Sequence, residues 1–474
     1  MLEELGPLDA ERIADLCPYL ASVPDPRSRR GCWYSLVSGL LVCACADVSG
    51  AKSLDEIAEF AERAVNTLLA TLGVRRHLLG WRLTPKPARM DASSWRLTAT
   101  PSTRPWVPTS PTSTTNPRAR MRRVIAVDGK ALKGSVRLAA PSRHLLSAVT
   151  HEPVATLAQV EVGAKTDETR HFKPLLAPLD LVGTVVTFDA LHSVKANITW
   201  LAETKKANYI AVIKTNQPTA YVQLVTLPWT SIKVQHTASA TGHGRRESRS
   251  IKTCAIADNL GGIAFPYARL AIRIHRRRKP TGEPESRETV YAVTSLYIHQ
   301  TTLADLATAI RGHWRIENFS HCIRDITFAE DASTVHTGTA PRAMATFRNL
   351  AIGTLKILGA DNIAKTTRAL RHEPDRALAI LDITNNPDTQ GNLIKPCHSP
   401  PHPPRGEAAT QIGHYMVDNA NRIKSNLSIN GAGIIPGGGS CVNTENLAYR
   451  TQRRAGKATE VTRGATGAGG AEWE

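Results

Sequence analysis

Two apolar runs, VIAV at 124–127 and TVVTF at 184–188, each lead straight into an aspartate, Asp128 and Asp189. Runs of this length and character read as short buried strands. Their surroundings alternate between the two hydrophobic periods. HLLSAVT (144–150), VATLAQVEV (154–162) and YIAVIK (209–214) read as strands, and 168–178 and 193–206 as helices. Three strands, then helix, strand, helix and strand, predict an α/β fold: a mixed sheet flanked by helices.

If the strands ending in Asp128 and Asp189 are neighbours in that sheet, both carboxylates leave the same edge and converge. Two unpaired carboxylates so close repel, and one would have to stay protonated. A divalent cation removes the conflict, and oxygen-only ligands suit Mg²⁺ or Mn²⁺. Two such ions roughly 3.5–4 Å apart activate water and stabilise the leaving oxygen in phosphodiester cleavage. A plainer reading of Asp128-Gly129, a tight turn in which Gly129 takes the chain away from the sheet, stays open on these residues alone.

A third acid is needed from elsewhere, and Glu317 in IRGHWRIENFSHCIRDITFAEDAS is the candidate. It shares a helical stretch with Arg311 and Arg315, with His313, Trp314 and His321 close by. A solvated ion pair is the plain alternative for a helical glutamate among arginines, and Asp325, Glu330 and Asp331 are rivals for the role. Lys130 and Lys133, just after Asp128, are of the type that seeks phosphate.

The charge balance agrees with a polyanionic partner. Over 474 residues the net charge is +18 and the pI about 9.8, which favours nucleic acid over a membrane because no basic amphipathic helix stands out. Aromatic residues make up only 5%, against the stacking platforms of single-strand binders. Eight cysteines include no C-x-x-C pair, which argues against a zinc ribbon. No secretory leader precedes Leu36–Ala46, and that run is too short to span a bilayer. A cytoplasmic, nucleoid-associated protein with no membrane partner is expected.

The chain divides by texture. Residues 1–84 read as helical, with a capping-box pattern from Ser53 to Glu56. Between 98 and 117, fifteen of twenty residues are Pro, Ser or Thr, so 85–117 reads as a disordered linker. Such a linker would leave the N-terminal helices tethered rather than docked. Residues 118–218 and 301–387 carry the sheet-and-helix pattern. Between them, 219–300 is a β-rich block with twelve Lys and Arg against five Asp and Glu. From 388 to 474 the chain turns Gly-, Asn- and Pro-rich and reads as a disordered tail that packs against nothing.

The strings VIAVDGKALKGS, VVTFDALHS, YIAVIKTNQPT, IRGHWRIENFSHCIRDITFAEDAS and APRAMATFRNLAIGTLK, in that order, resemble the H-repeat-associated group of bacterial insertion-sequence transposases. SVPDPRSRRG and GAKSLDEIAEFA resemble the helical domain that accompanies that group's core. The resemblance covers about 12–84 and 119–383. It implies a DDE transposase with a ribonuclease-H-like core, a β-rich insertion and an N-terminal all-helical domain. Asp128, Asp189 and Glu317 match the three catalytic, metal-holding acids, with Mg²⁺ or Mn²⁺ as two ions. Lys165 and Glu168 resemble the group's Lys-Ser-Asn-Glu segment, and Lys214, Asn216 and Gln217 its Lys-x-Asn-Gln strand end. Where relatives often carry Tyr, Arg, Glu and Lys around the third acid, this chain has Ile310, His313, Glu317 and Arg324.

With these matches, Lys130, Lys133, Lys165, Lys214, Asn216, Gln217, Arg311, Arg315 and Arg324 are the expected DNA-binding set. The implied partners are double-stranded DNA, both element ends and target, and a second copy of the chain. The implied reaction is cleavage at the element ends followed by attack of the freed 3′-hydroxyl on target DNA. Two alternatives share many of these residues: a decayed DNA-binding remnant, and a ribonuclease-H-like nuclease without strand transfer. The departures at 85–117 and after 388, which read as frame or read-through accidents, favour the remnant; the intact acid triad favours chemistry.

Overall fold

A computed structural model describes residues 15–23, 25, 35–74, 123–136, 142–163, 168–242, 244–257, 262–336, 338–383, 415, 416 and 418. The stretch 85–117, with Trp95 and Trp106, lies outside the described residues, as does most of the tail.

Strand β1 (Val124–Leu132) pairs antiparallel with β2 (Arg143–Thr150), and β2 with β3 (Thr156–Val162). On its other side β1 runs parallel to β4 (Val185–Phe188), and β4 parallel to β5 (Asn208–Ile213). From β5 the sheet continues antiparallel through β9 (Ser286–Thr294), β8 (Leu270–Pro280), β7 (Arg245–Ala255) and β6 (His236–Gly242). The result is one nine-stranded mixed sheet. The β-rich block at 219–300 is therefore no separate body. Its last strand, β9, returns to the open edge of β5, and the other three extend the same sheet. Asp128 also departs from the turn reading, because β1 continues past Gly129 to Leu132 along β2.

Alternation along the strands sorts side chains between two faces. Ile125 and Val127, with Val186 and Phe188, join a core shared with α5 (Glu168–Leu176), α6 (Lys195–Glu203) and α7 (Pro218–Val225). On the opposite face, Val185 packs with Leu306, Ala309 and Ile310 of α8 (Leu303–Ile316), and Ala126 with Ile316. Helix α8 opens on a capping box between Thr302 and Asp305, which satisfies donors of its first turn. It passes into a π-helical turn, Glu317–His321, and then α9 (Cys322–Ile326).

Helices α1 (Cys17–Ala21), α2 (Leu36–Val48), α3 (Leu54–Arg63) and α4 (Asn66–Thr71) precede the sheet. Ser53 caps α3 by accepting from the Glu56 N–H at 3.2 Å. Helix α2 is apolar around its whole circumference, so it needs cover on every side. Helix α10 (Ala340–Ile357) supplies part of that cover, and Leu40, Leu41 and Ala44 share one core with Phe347, Leu350 and Ala351. Arg348 on α10 donates to the Lys52 carbonyl at 3.0 Å, and Arg371 on α11 (Ile363–His372) to the Gly50 carbonyl at 2.6 Å. The N-terminal helices are thus docked, contrary to the tethering expected from the linker, because docking runs through α2 and α10. A second correction concerns the tail. Tyr415 and Met416 are buried, Tyr415 meets the Tyr19 ring edge-on at 5.5 Å, and the Tyr19 hydroxyl donates to Asp418.

Among the described residues no helix is long and apolar enough to cross a membrane.

One buried acid works against stability. Asp47 on α2 is fully buried, and burial pushes its pKa up to about 8, with Arg348 opposing and Glu56 reinforcing. Folding therefore demands a proton that an unfolded aspartate would release near pH 4, so this group's penalty grows as pH rises from about 4 to about 8. Asp47→Asn should melt at a higher temperature than the wild type, by a margin that widens over that pH interval. Thermal melts at several pH values check this, and a margin independent of pH would mean Asp47 stays ionised in the fold.

Candidate active site

The parallel register brings the two aspartates together. Val127 pairs with Phe188, so the next residues along the two strands, Asp128 and Asp189, leave the end of the parallel ladder side by side. Asp128 falls in the same alternation as Ala126, and Asp189 in that of Val185 and Thr187. Both therefore belong to the face covered by α8. Asp189 keeps extended backbone and accepts from the Leu191 N–H at 2.9 Å, capping the short 3₁₀ helix Ala190–His192. Asn216 and Gln217 hold that segment from the end of β5: Asn216 donates to the Ala190 carbonyl at 2.6 Å and Gln217 to the Ser193 carbonyl at 2.8 Å. Their amides thus brace the Asp189 loop rather than reaching outward for DNA.

Glu317 opens the π-helical turn where α8 leaves the sheet. Its charge reaches Asp128, whose pKa is raised to about 7 by burial and then by Glu317 and Asp189, against the Gly129 N–H and His192. His321, at the other end of the turn, stands 3.8 Å from Asp128. Burial, with Arg324 and Lys130 nearby, holds the His321 pKa well below its ordinary value, so the ring is neutral.

The rival acids are engaged elsewhere. Lys130, nearly buried, donates to both Asp325 oxygens at 2.7 Å. Lys133 pairs with Asp331 at 2.7 Å. Glu330 lies buried between Arg324, at 2.7 Å, and Arg348, at 3.0 Å. Burial alone would raise the Glu330 pKa, but the two guanidiniums overcome it and hold the carboxyl below the ordinary range. Glu317 has no ion pair among the described side chains. The same contacts correct two expected DNA ligands, since Lys130 and Arg324 are buried ion-pair partners. Lys214 and Arg311 are exposed, and Lys133 is 71% exposed despite its pair. Lys165 and the Arg315 side chain lie outside what is described.

The three acids sit close enough to perturb one another, yet they are not gathered at one point. Among the described residues no three His, Cys, Asp or Glu side chains are arranged to hold an ion as they stand. Glu317 remains exposed. The donor set itself is all carboxylate oxygen and electrostatically strained, which is the chemistry a hard divalent cation relieves.

Two supports flank the acids; the sequence pointed to Glu168 but not to the histidine–threonine contacts. Beneath the aspartates, Thr187 sits between His151 Nε2 at 3.1 Å and His313 Nδ1 at 3.3 Å. Burial pushes the His313 pKa down to about 4, with Asp189 opposing, so that ring is also neutral. On the other face, Glu168 is buried 3.5 Å from His192 and 3.9 Å from His144. A Cβ on Gly129 would meet the Glu168 carboxylate at 2.7 Å, so only glycine allows this approach beside Asp128. Gly312 within a helical pattern was a local signal of the close approach to His151.

The sequence matches the family described as Transposase DDE domain over residues 119–353, and that described as DDE_Tnp_1-associated over 17–86. The protein named as transposase YncI of Escherichia coli O157:H7 is 25% identical over 354 residues, 73% of this chain and 88% of its own. The H repeat-associated transposase YhhI of Escherichia coli K12 is 25% identical over 363 residues, 72% of this chain and 90% of its own. A solved piggyBac transposase synaptic complex with hairpin DNA aligns with 94% of this chain and 87% of its own, at 10% identity and a TM-score of 0.33, too slight a likeness to carry an argument.

The packing of α8 on β2 yields a prediction with an unusual sign. Gly-to-Ala inside a helix ordinarily stabilises by about 1 kcal/mol. At Gly312 the new Cβ would fall 2.1 Å from His151 Nδ1, and relieving such overpacking costs about 1–3 kcal/mol. Gly312→Ala should therefore lower stability in denaturant titrations, and the same change in a His151→Ala background should raise it. Stabilisation by Gly312→Ala alone would show that α8 does not press on His151.

Proposed function

The chain belongs to the DDE transposases, in their H-repeat-associated group, and on that premise we propose that Asp128, Asp189 and Glu317 hold divalent cations for cutting and joining DNA. The observation that carries the reading is the Val127–Phe188 register, which sets the two aspartates abreast, together with Glu317's effect on Asp128. The strand order β3-β2-β1-β4-β5, antiparallel through the first three and parallel through the last three, supports a ribonuclease-H-like core. DDE transposases generally use divalent metal ions, which supply Lewis-acid activation of the attacking oxygen and neutralise charge on the leaving one. Mg²⁺ or Mn²⁺, as two ions, suits three carboxylates.

The chain's own residues prepare that site. Asn216 and Gln217 fix the loop after Asp189, and Glu168 fits against the backbone beside Asp128. Neutral His321, 3.8 Å from Asp128, and neutral His313, on Thr187, add no competing positive charge. Exposed Arg311, Lys133 and Lys214, with Lys165 and Arg315, contact DNA phosphates. The substrates are the ends of an insertion sequence and target duplex DNA, brought together by two copies of the chain at the nucleoid.

Replacing Asp128, Asp189 or Glu317 by Ala should reduce Mn²⁺- or Mg²⁺-dependent cleavage and strand transfer of end-containing duplexes to background. Duplex affinity should hold or tighten slightly, because each change removes a charge that repels phosphate. Gel-based strand-transfer assays beside binding titrations check both halves. A Glu317→Ala enzyme that still cuts would remove Glu317 from the site, and a wild-type protein that binds without cutting would favour the DNA-binding remnant.

A further inference from the structure

Strand β8 reads Arg-Ile-His-Arg-Arg-Arg-Lys over 273–279, and strand alternation divides this run between two faces. Arg276 and Arg278 lie on the face of Ile272 and Ile274, which pack with α8. There Arg276 pairs across the ladder with Arg249 and Glu288, and Arg278 with Glu247. Acids temper that face: Glu247 meets Arg276 at 3.0 Å, and Arg276 stands 3.8 Å from Glu288.

Arg277 and Lys279 point to the other face, away from Asp128, Asp189 and Glu317. Cross-strand register sets Lys279 beside Arg246, and Arg277 beside Ser248 and Arg287. His275 lies between Ser250 and Thr289, and Ser239 and Thr237 continue the rows onto β6. No Asp or Glu stands on this face of β6–β9. An acid reaches this face from the β8–β9 turn, where Glu285 stands 3.0 Å from Arg277 and 2.8 Å from Arg287. Arg246, Arg277, Lys279 and Arg287 are all exposed. A shallow depression of about 410 Å³ is lined by Thr237, Ser248, Ser250, His275, Arg277 and Arg287.

We propose that this outer face, built on Arg246, Arg277, Lys279 and Arg287, binds the backbone of a second DNA duplex while the first lies on the acid-bearing face. The inference rests on the DNA reading above and extends it to a surface outside the catalytic one. The four cations span about 7 Å along the strands and about 10 Å across them, from strand geometry. That is a flat patch suited to an extended polyanion rather than to a small enclosed ligand. Serine and threonine hydroxyls between the guanidiniums are further phosphate donors that carry no base preference. The sheet itself separates the faces, so a straight duplex engaged by the acids cannot also cover this patch.

The test is co-capture by the full chain. One duplex carries biotin and an unrelated-sequence duplex a fluorophore; streptavidin beads report whether the protein joins them. Two variants are compared: Arg246→Glu/Arg277→Glu/Lys279→Glu/Arg287→Glu on the outer face, and Arg249→Glu/Arg276→Glu on the inner one. Circular dichroism melts confirm folding, and the four single Gln variants of the outer face serve if the quadruple variant misfolds. The wild type should retain the fluorescent duplex on the beads. The outer-face variant should still bind one duplex, with the wild-type salt slope, but lose co-capture. Wild-type capture of the second duplex should weaken with salt at a log–log slope of up to roughly 3–4, about 0.9 per phosphate contact. Co-capture undiminished in the outer-face variant, as a dimer using only its inner faces would give, overturns the proposal, as does a wild type that binds one duplex and never two. A wild type that binds no duplex at all would instead overturn the DNA reading on which the proposal rests.

Discussion

The buried cluster of Arg324, Glu330 and Arg348 fixes what the rest of the structure needs fixed. Each residue is at most 3% exposed, and Glu330 accepts from both guanidiniums. A lone buried charge would be costly, and removing one partner of a buried ion pair costs about 3–5 kcal/mol, so the three stand or fall together. Arg324 lies just beyond the turn that carries Glu317, and Arg348 lies on α10 and reaches the carbonyl of Lys52. The loop bearing Glu330 also closes on the end of β1: a Cβ on Gly134 would strike the Glu330 carbonyl at 2.6 Å. One cluster therefore ties the third acid, the first acid's strand and the N-terminal helices to a common frame. Because Glu330 titrates below the ordinary glutamate range, this frame is intact at neutral pH and weakens as pH falls through that depressed value.

Much of this was legible in the chain. The runs VIAV and TVVTF, each followed by Asp, carry the strands and put Asp128 and Asp189 at the ends of the apolar stretches, because strand period is a local rule. That the two strands pair in parallel, across β2, β3 and α5, was only a condition there. Helix α3 was legible from Ser53 and Glu56, and α8 with its continuation from the spacing at 302–324. What the sequence misjudged was contact between distant segments. Lys130 carried the signature of a phosphate ligand until Asp325, far along the chain, proved to hold it. Arg324 likewise reads as a surface cation unless Glu330 and Arg348 are known to surround it. The docking of α2 on α10 was hidden for the same reason, since an all-round apolar helix announces that it is covered but not by what.

The basic block of 219–300 shows a different limit. Its composition spoke of DNA, and its alternation of short strands was plain, but composition has no faces. Only the register of β7 against β8 and β9 separates a side where Glu247 and Glu288 sit among arginines from one whose strands carry no acid and which Glu285 reaches only from the β8–β9 turn. The run Arg276 to Lys279 is one block of charge in the sequence, yet it belongs to two surfaces that cannot touch the same straight object. The continuity of β9 with β5 makes those surfaces rigid extensions of the sheet that carries the acids.

The π-helical turn at Glu317–His321 has a consequence for how such a chain can change. An α-helix advances about 100° per residue, so two helices joined without interruption must share one phase. Here the phase of α8 is dictated by Leu306, Ala309 and Ile310 against the sheet, while that of α9 is dictated by Arg324 reaching Glu330. The wider turn absorbs the mismatch between the two demands. A one-residue deletion within it would leave a more regular helix and a worse protein, because either the acid or the arginine would swing out of step. Irregularity at this point works like a vernier between the two packing surfaces.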